Sequence, residues 1–211
     1  MSNFQHSAMA FYSILLQITK EQALEFKYDK AFVVKSQLPA HDLPNIVYIV
    51  GESLVLSHMG VYGYVRDTTP KLQQNKQLIA YDNALSISTH TRLSVPYMLV
   101  GMEGIDPLGK FYQTPSIFNY AKARGYNTAF ISAQDTSWGH IKELLVDNDV
   151  DYFWDGVSMN KNTSVHKGAD DMRVLKEVAL PYIKQQTKPF FISIANGWFA
   201  LSLFNTFNQT A

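Results

Sequence analysis

Short apolar runs alternate with segments of helical periodicity along most of the chain. Continuous apolar runs that are bounded by Pro, Gly or polar residues predict buried strands. These strands are expected over residues 45–50, 77–85, 127–132, 151–154 and 189–195. Apolar residues at helical spacing predict helices over residues 7–26, 91–100, 116–123, 140–146 and 170–186. The alternation of strands and helices indicates an α/β fold with a mostly parallel sheet.

Glycine, proline and acidic residues mark the ends of these helices. Gly125 is expected to stop the 116–123 helix, because glycine readily adopts the left-handed backbone of a helix C-terminus. Pro181 is expected to bend the last helix or to start a new turn, since proline lacks the backbone donor. Asp170 and Asp171 are predicted to be first-turn acids that complement the dipole of that helix.

The composition fits one folded domain. The chain has 211 residues, 46% of them hydrophobic and 17% charged, which supplies a sizeable core and argues against disorder. Its formal net charge is zero, so no basic excess indicates nucleic acid as a partner. The absence of Cys excludes disulfides, thiolate metal sites and a cysteine nucleophile.

The sequence predicts no transmembrane segment. The longest apolar stretch near the start, residues 8–18, contains Ser13 and Gln17 and is shorter than the roughly 20 apolar residues of a membrane-spanning helix. No basic residue precedes this stretch and no small-residue cleavage site follows it, which disfavours a signal peptide. We expect an amphipathic helix that packs on the domain or lies at an interface.

Glu52 is a candidate metal ligand. It follows the first predicted strand, at the edge where open α/β sheets bind ligands, and its carboxylate suits Zn, Mg or Mn. From position alone, a helix N-cap or a solvated charge is the simpler interpretation.

Thr91 is a candidate nucleophile. It follows a Ser/Thr-rich loop and opens a predicted helix, where backbone N–H groups favour phosphate. Its hydroxyl could attack phosphorus once a metal or base removed its proton. A plain capping role for Thr89 or Thr91 is the alternative.

Three motifs occur in one order along the chain. They are Gly-Glu-Ser at residues 51–53, Tyr-Gly-Tyr-Val-Arg-Asp-Thr-Thr-Pro at 62–70, and Thr-Arg-Leu-Ser-Val-Pro at 91–96. Together they resemble the phosphoethanolamine transferases, membrane-anchored members of the alkaline phosphatase and sulfatase superfamily, and the second motif is the most specific. The resemblance covers roughly residues 43–197. It implies a three-layer alkaline phosphatase-like α/β fold with a mostly parallel sheet, incomplete at the C-terminus.

The resemblance also implies roles for individual residues. Glu52 would ligate a zinc ion, and Thr91 would be both metal ligand and catalytic nucleophile. Thr91 would accept phosphoethanolamine from a phospholipid as a covalent intermediate, before transfer to a glycolipid or glycan of the cell envelope. Arg66, Asp67 and Pro70 would be structural residues of the loop between strand and helix. The implied location is the periplasmic face of the bacterial inner membrane.

A looser match follows the 127–132 strand. In these enzymes that region holds polar residues near the substrate, which makes Gln134, Asp135 and Lys142 candidate substrate-binding residues. An ordinary loop capped by Thr136 or Ser137 is the alternative.

The chain departs from the family pattern after the last predicted strand. No Asp-His pair follows Glu52, although the family's second metal motif is such a pair, so a partial zinc site and an inactive chain are expected. After Gly197 the family pattern would give a His and a Pro-Tyr pair, which a one-base frame shift would permit. Residues 198–211 are therefore expected to be a frameshifted, non-native tail. Residues 43–197 would be the N-terminal part of the catalytic domain, and 1–42 a lead-in that follows a missing membrane domain.

Other functions stay open from the sequence. A formylglycine sulfatase is disfavoured, because its Cys/Ser-x-Pro-x-Arg pattern fails at Met98. A threonine-nucleophile glycerol-phosphate transferase shares the chemistry but matches the second motif less well. A remnant that neither turns over substrate nor holds metal tightly is the non-catalytic alternative.

Overall fold

A computed structural model describes residues 31, 43–102, 104, 109–161 and 168–196. The predicted helix over residues 7–26 and the predicted non-native tail over residues 198–211 lie outside these ranges. Within them, no helix combines the length and the apolar character needed to cross a bilayer.

Four parallel strands form the central sheet. Their bounds are β1 Ile46–Gly51, β2 Asn127–Ser132, β3 Tyr152–Asp155 and β4 Phe190–Asn196. The spatial order is β1-β4-β2-β3, so the last strand in sequence lies between the first and the second. Four of the five predicted strands are confirmed, because a parallel strand that is covered on both faces is a continuous apolar run.

Helices cover both faces of the sheet. Their bounds are α1 Pro70–Gln74, α2 Thr91–Val100, α3 Ile117–Arg124, α4 Ile141–Leu145, α5 Asp171–Val174 and α6 Leu180–Lys184. Apolar side chains of α2, α3 and α4 pack on one face, and those of α5 with the π-helical segment Leu175–Ala179 pack on the other. The result is a three-layer α/β domain.

Aromatic packing anchors one of the two core layers. The Phe118 side chain from α3 is fully buried, and its ring centroid lies 5.8 Å from that of Phe130 and 5.6 Å from that of Phe191. Both partners point from the sheet to this face, whereas Ile131 and Ile192 point to the other face. Neighbouring residues of each strand therefore serve opposite layers, as the pleat requires.

The predicted helix over residues 170–186 is a continuous helical run from α5 to α6. The π-helical segment occupies its middle, immediately before the turn that contains Pro181. A proline ring clashes with the carbonyl four residues earlier in a regular α-helix, and a wider turn relieves that clash. Asp170 is the N-cap rather than a first-turn acid, since its Oδ1 accepts a hydrogen bond of 2.8 Å from the Arg173 amide. Gly125 ends α3 with a φ of 101°, as predicted.

The predicted strand over residues 77–85 is wrong. These residues are described, but they form no part of the four-stranded sheet and are mostly exposed, including Ile79, Tyr81 and Leu85. Their apolar pattern fits a strand, yet a strand needs a partner for its backbone donors and acceptors. The amide of Leu78 instead closes a turn onto the carbonyl of Asn75.

Candidate active site

Glu52 lies at the carboxyl edge of the sheet, directly after β1. Gly51 is the last residue of β1 to pair with β4, and the chain leaves the sheet at Glu52. The Glu52 side chain is partly buried there. Ser53 then takes a left-handed backbone with a φ of 54°, and its Oγ donates a hydrogen bond of 3.4 Å to Glu52 Oε1.

The serine-rich loop before α2 fixes the start of that helix. Ser86 Oγ donates to the Ser88 carbonyl at 2.7 Å, and Ser88 Oγ accepts from the His90 amide at 3.0 Å. His90 is the N-cap and makes no side-chain cap, so the capping interpretation of Thr89 and Thr91 is wrong. Thr91 is the first residue of α2, and its hydroxyl serves a different contact.

The Thr91 hydroxyl meets the Glu52 carboxylate. Thr91 Oγ1 lies 3.0 Å from Glu52 Oε1 and 3.0 Å from Oε2, so one hydroxyl donor is shared between both carboxylate oxygens. The two residues are 39 positions apart in sequence, and the sheet and α2 bring them together. These are the two residues that the motifs singled out for metal binding and nucleophilic attack.

The oxygen pair suits one side of a cation site. Oxygen ligands lie about 2.0–2.2 Å from a tetrahedral zinc ion, so neighbouring ligands of one ion are separated by roughly 3.3–3.6 Å. The spacing of 3.0 Å between Thr91 Oγ1 and each Glu52 oxygen is only a few tenths of an ångström shorter than that. Among the described residues, however, no group of three or more His, Cys, Asp or Glu side chains could hold a metal ion. Glu52 and Thr91 would therefore fit a zinc ion as two ligands, with no such group around them in the described part of the chain.

The loop that carries the most specific motif is held by two threonines. Thr68 Oγ1 accepts from the Gly60 amide at 2.9 Å and donates to the His58 carbonyl at 2.8 Å. The buried Thr69 Oγ1 accepts from the Val61 amide at 2.8 Å. These hydroxyls fix the short 3-10 turns that follow Glu52.

The structural roles expected in this loop are only partly found. Pro70 is structural as predicted, because it stands in the first turn of α1, where its missing N–H has no consequence. The side chains of Arg66 and Asp67 are exposed, and the turn-holding contacts come from Thr68 and Thr69 instead.

Gln134 and Asp135 lie at the same edge of the sheet as Glu52, but on the loop after β2. Because β4 separates β1 from β2, this loop is about 10 Å from the end of β1 along the sheet. Asp135 Oδ1 accepts from the amide and the hydroxyl of Ser137, at 2.9 and 2.6 Å. One oxygen of Asp135 thus shapes its own turn, and the backbone carbonyl of Gln134 accepts from the Gly156 amide at 3.2 Å.

Lys142 lies apart from the Glu52–Thr91 pair. Its Nζ sits 4.9 Å from the centroid of the Phe153 ring, which belongs to β3 at the opposite edge of the sheet from β1. A cation over an aromatic face accounts for this position without a substrate.

Close packing connects the loop after β2 with the start of α2. Gly139 has a φ of +67°, and a Cβ at this position would lie 2.8 Å from Cγ of Arg92, the neighbour of Thr91. Ser53, Thr68, Thr69 and Gly139 therefore all shape the site, although sequence reasoning gave none of them a role. The Thr-Thr-Pro signal before α1 and the isolated glycine were the available clues.

The fold and the Glu52–Thr91 pair define the class: an α/β protein whose site lies at the carboxyl edge of a parallel sheet. The sulfatase family model matches residues 44–196, and the chain belongs to this family. The chain is similar to Kdo(2)-lipid A phosphoethanolamine 7''-transferase of Escherichia coli (strain K12), with 36% identity over 104 residues, which are 49% of this chain and 18% of that protein.

Two solved structures share the fold. The zinc complex of the C-terminal periplasmic domain of EptC from Escherichia coli gives a TM-score of 0.59 at 21% identity, covering 80% of this chain and 48% of that one. The second is the integral membrane protein EptA, a lipooligosaccharide phosphoethanolamine transferase from Neisseria meningitidis. Its TM-score is 0.63 at 18% identity, and the match covers 93% of this chain and 35% of EptA. The likeness confirms the alkaline phosphatase-like α/β fold. The chain spans less than half the length of each of these relatives.

Proposed function

We propose that this chain carries the nucleophile and one further metal ligand of a phosphoethanolamine transferase. Thr91 would receive phosphoethanolamine from a phospholipid and pass it to a glycolipid or glycan of the cell envelope. The observation that supports the proposal most directly is the Thr91 hydroxyl held 3.0 Å from both oxygens of Glu52. The acceptor class rests on the similar lipid A transferase, and the donor class rests on the three motifs.

The proposed reaction has two displacements at phosphorus. In the first, the Thr91 oxygen attacks, the bond between phosphorus and the lipid oxygen breaks, and diacylglycerol leaves with a proton. In the second, an oxygen of the acceptor attacks, the bond to Thr91 breaks and the hydroxyl is restored. Glu52 orients the hydroxyl before the attack. A zinc ion, when bound by Glu52 and Thr91, would help the hydroxyl to lose its proton and would neutralise charge on the phosphoryl oxygens.

A hydrolase that uses a serine in the Ser-Val-Pro motif is the second candidate within the family. Ser94 Oγ donates to the His90 carbonyl at 3.1 Å, one turn into α2, whereas Thr91 is the residue that contacts Glu52. Met98 also occupies the position where the formylglycine pattern has Arg. These contacts favour Thr91 as the nucleophile.

Gln134 and Asp135 are the proposed substrate contacts at the far side of the same edge. Their loop packs against the start of α2 through Gly139 and Arg92, and a group that extends from Thr91 toward this loop, such as part of the acceptor, would meet it. Lys142 would have to leave the Phe153 ring to join them, so we rank it below the other two.

The proposed site of action is the periplasmic face of the bacterial inner membrane, by analogy with the periplasmic domain of EptC. We also propose that this chain, by itself, does not sustain turnover. A catalytic zinc has three protein ligands and an open position, whereas the described residues supply Glu52 and Thr91. A remnant that holds no metal is the non-catalytic alternative.

Peptide mass spectrometry after incubation with zinc and phosphatidylethanolamine in detergent tests the nucleophile. We expect a substoichiometric phosphoethanolamine adduct on Thr91 and no steady release of diacylglycerol. The adduct should be absent from Thr91→Val and present in the matched control Thr89→Val, which removes a neighbouring exposed hydroxyl. An adduct confined to another residue would refute the assignment of Thr91, and no adduct in any variant would assign the chain to the non-catalytic alternative.

A further inference from the structure

Ser53 has a backbone conformation that serine rarely adopts. Its φ is 54°, and among the described residues only Ser53 and His140 combine a positive φ with a side chain. The left-handed region is disfavoured for residues with a Cβ, and such residues concentrate at sites where the surrounding structure over-determines the backbone. Ser53 stands directly after the proposed metal ligand.

Burial does not account for this conformation. The Ser53 side chain is exposed, so apolar packing gives it no compensating stabilisation. Its side-chain hydrogen bond is local: Oγ donates to Glu52 Oε1 at 3.4 Å, and the same oxygen accepts from Thr91 at 3.0 Å. Both the backbone and the hydroxyl of Ser53 therefore act on the orientation of Glu52.

The turn at Ser53 separates two fixed segments. On one side, Gly51 is paired with β4, and on the other side the carbonyl of His58 accepts from the Thr68 hydroxyl. An extended residue at position 53 would carry the chain further along the direction of β1. The left-handed turn instead redirects the chain while Glu52 still faces Thr91.

We propose that Ser53 is a positioning residue. Its left-handed backbone and its hydroxyl hold the Glu52 carboxylate against the Thr91 hydroxyl, so that both oxygens are already together before a cation binds. This inference concerns geometry that exists without metal. Its consequence for zinc affinity rests on the proposed function.

Three substitutions of Ser53 distinguish a role in positioning Glu52 from a role in stability alone. Glycine adopts a left-handed backbone without strain but also permits many other conformations, so Ser53→Gly keeps or raises the melting temperature while it loosens Glu52. Asparagine tolerates the left-handed region and retains a polar group, so Ser53→Asn should resemble the wild type. A β-branched residue is an outlier there, so Ser53→Val should lower both the melting temperature and zinc affinity.

Zinc titration and metal-free melting of the full chain test the inference. We expect Ser53→Gly to bind zinc about tenfold more weakly without any loss in melting temperature, which is the size of effect that outer-shell partners have on metal sites. His140→Gly relieves the other left-handed side chain and should leave zinc affinity unchanged. If zinc affinity simply follows the melting temperature across all the variants, Ser53 is only structural and the inference is wrong.

A failure of the proposed function would give a different result from a failure of the Ser53 inference. If the wild type binds no zinc, metal-free crystal structures of Ser53→Gly and Ser53→Asn decide the matter. The inference then requires Glu52 to remain on the Thr91 hydroxyl in Ser53→Asn and to leave it in Ser53→Gly. An unchanged Glu52–Thr91 contact in Ser53→Gly would overturn it.

Discussion

The Thr91 hydroxyl donates to the Glu52 carboxylate at 3.0 Å from each of its two oxygens. Glu52 directly follows the last residue of β1 and Thr91 is the first residue of α2, so the contact joins the ends of two regular elements. A hydroxyl in this position is oriented before any ligand arrives. The same two oxygen-bearing groups could move a few tenths of an ångström and share a cation.

The buried hydroxyl of Thr69 should matter for the loop after Glu52. Thr69→Val keeps the shape of the side chain but leaves the Val61 amide without its acceptor, which costs about 1–3 kcal/mol in the free energy of unfolding. Urea unfolding measures this cost. Thr69→Ser keeps the acceptor and is the matched control, and equal losses in the two variants would show that the hydrogen bond is unimportant.

Gly139 should be needed for two separate reasons. Gly101→Ala, at a φ of +72° with open space around it, should lose about 1–2 kcal/mol of stability from the backbone alone. Gly139→Ala, at a φ of +67°, should lose more, because its Cβ would also overlap the Arg92 side chain. Gly104→Ala has neither problem and should be neutral. Equal losses for Gly139→Ala and Gly101→Ala in urea unfolding would contradict the close contact with Arg92.

Asp151 should make stability depend on acid pH. Burial raises the pKa of Asp151, but hydrogen bonds from Lys122 and from the Thr128 amide outweigh it and hold the pKa below its usual 3.8. The folded state therefore favours the ionised carboxylate, and this stabilisation is present above pH 3.8 and lost as the pH falls below it.

Asp151→Asn removes that pH dependence. At neutral pH the variant should be less stable by about 1 kcal/mol, because the ion pair is partly exposed. The gap between wild type and variant should narrow as the pH drops below 3.8, which chemical unfolding at several acid pH values measures. A gap of constant size would show that the charge of Asp151 is not the cause.

Tyr182 should limit stability at alkaline pH. Burial, followed by the charge of Asp151 and the neighbouring Tyr152, raises the pKa of Tyr182 to about 12. The folded state holds the phenolic proton more tightly than the unfolded chain, so this stabilisation is complete below pH 10.0 and is lost between pH 10.0 and about 12. Tyr182→Phe should lose less stability over that window than the wild type. Tyr120→Phe, at an exposed tyrosine, is the control and should follow the wild-type curve.

The sequence predicted which segments are strand-like better than it predicted which of them pair in the sheet. The four sheet strands were recognisable because burial on both faces makes them continuously apolar, and their limits were within one residue of the observed ones. The same apolar pattern over residues 77–85 predicted a strand that does not form. The local pattern of apolar residues indicates that a segment tends to be extended. Whether it joins a sheet depends on whether the fold places another strand beside it.

The site was predictable in its residues and not in its geometry. The motifs singled out Glu52 and Thr91, but only the parallel sheet places two residues 39 positions apart within hydrogen-bond distance. The left-handed backbone of Ser53 carried no signal, since it falls on a serine rather than a glycine. Lys142 was expected near substrate, whereas the rotation of α4 places its ammonium over Phe153.

Zinc titration of the wild type, Glu52→Gln and Thr91→Val by calorimetry tests the central claim most directly, which is that these two side chains bind one cation together. Thr89→Val serves as the control, because its hydroxyl lies outside the Glu52 contact. We predict one bound zinc ion, an affinity at least about tenfold weaker in each of Glu52→Gln and Thr91→Val, and wild-type affinity in Thr89→Val. Equal zinc affinity in all four proteins would contradict a shared site at Glu52 and Thr91.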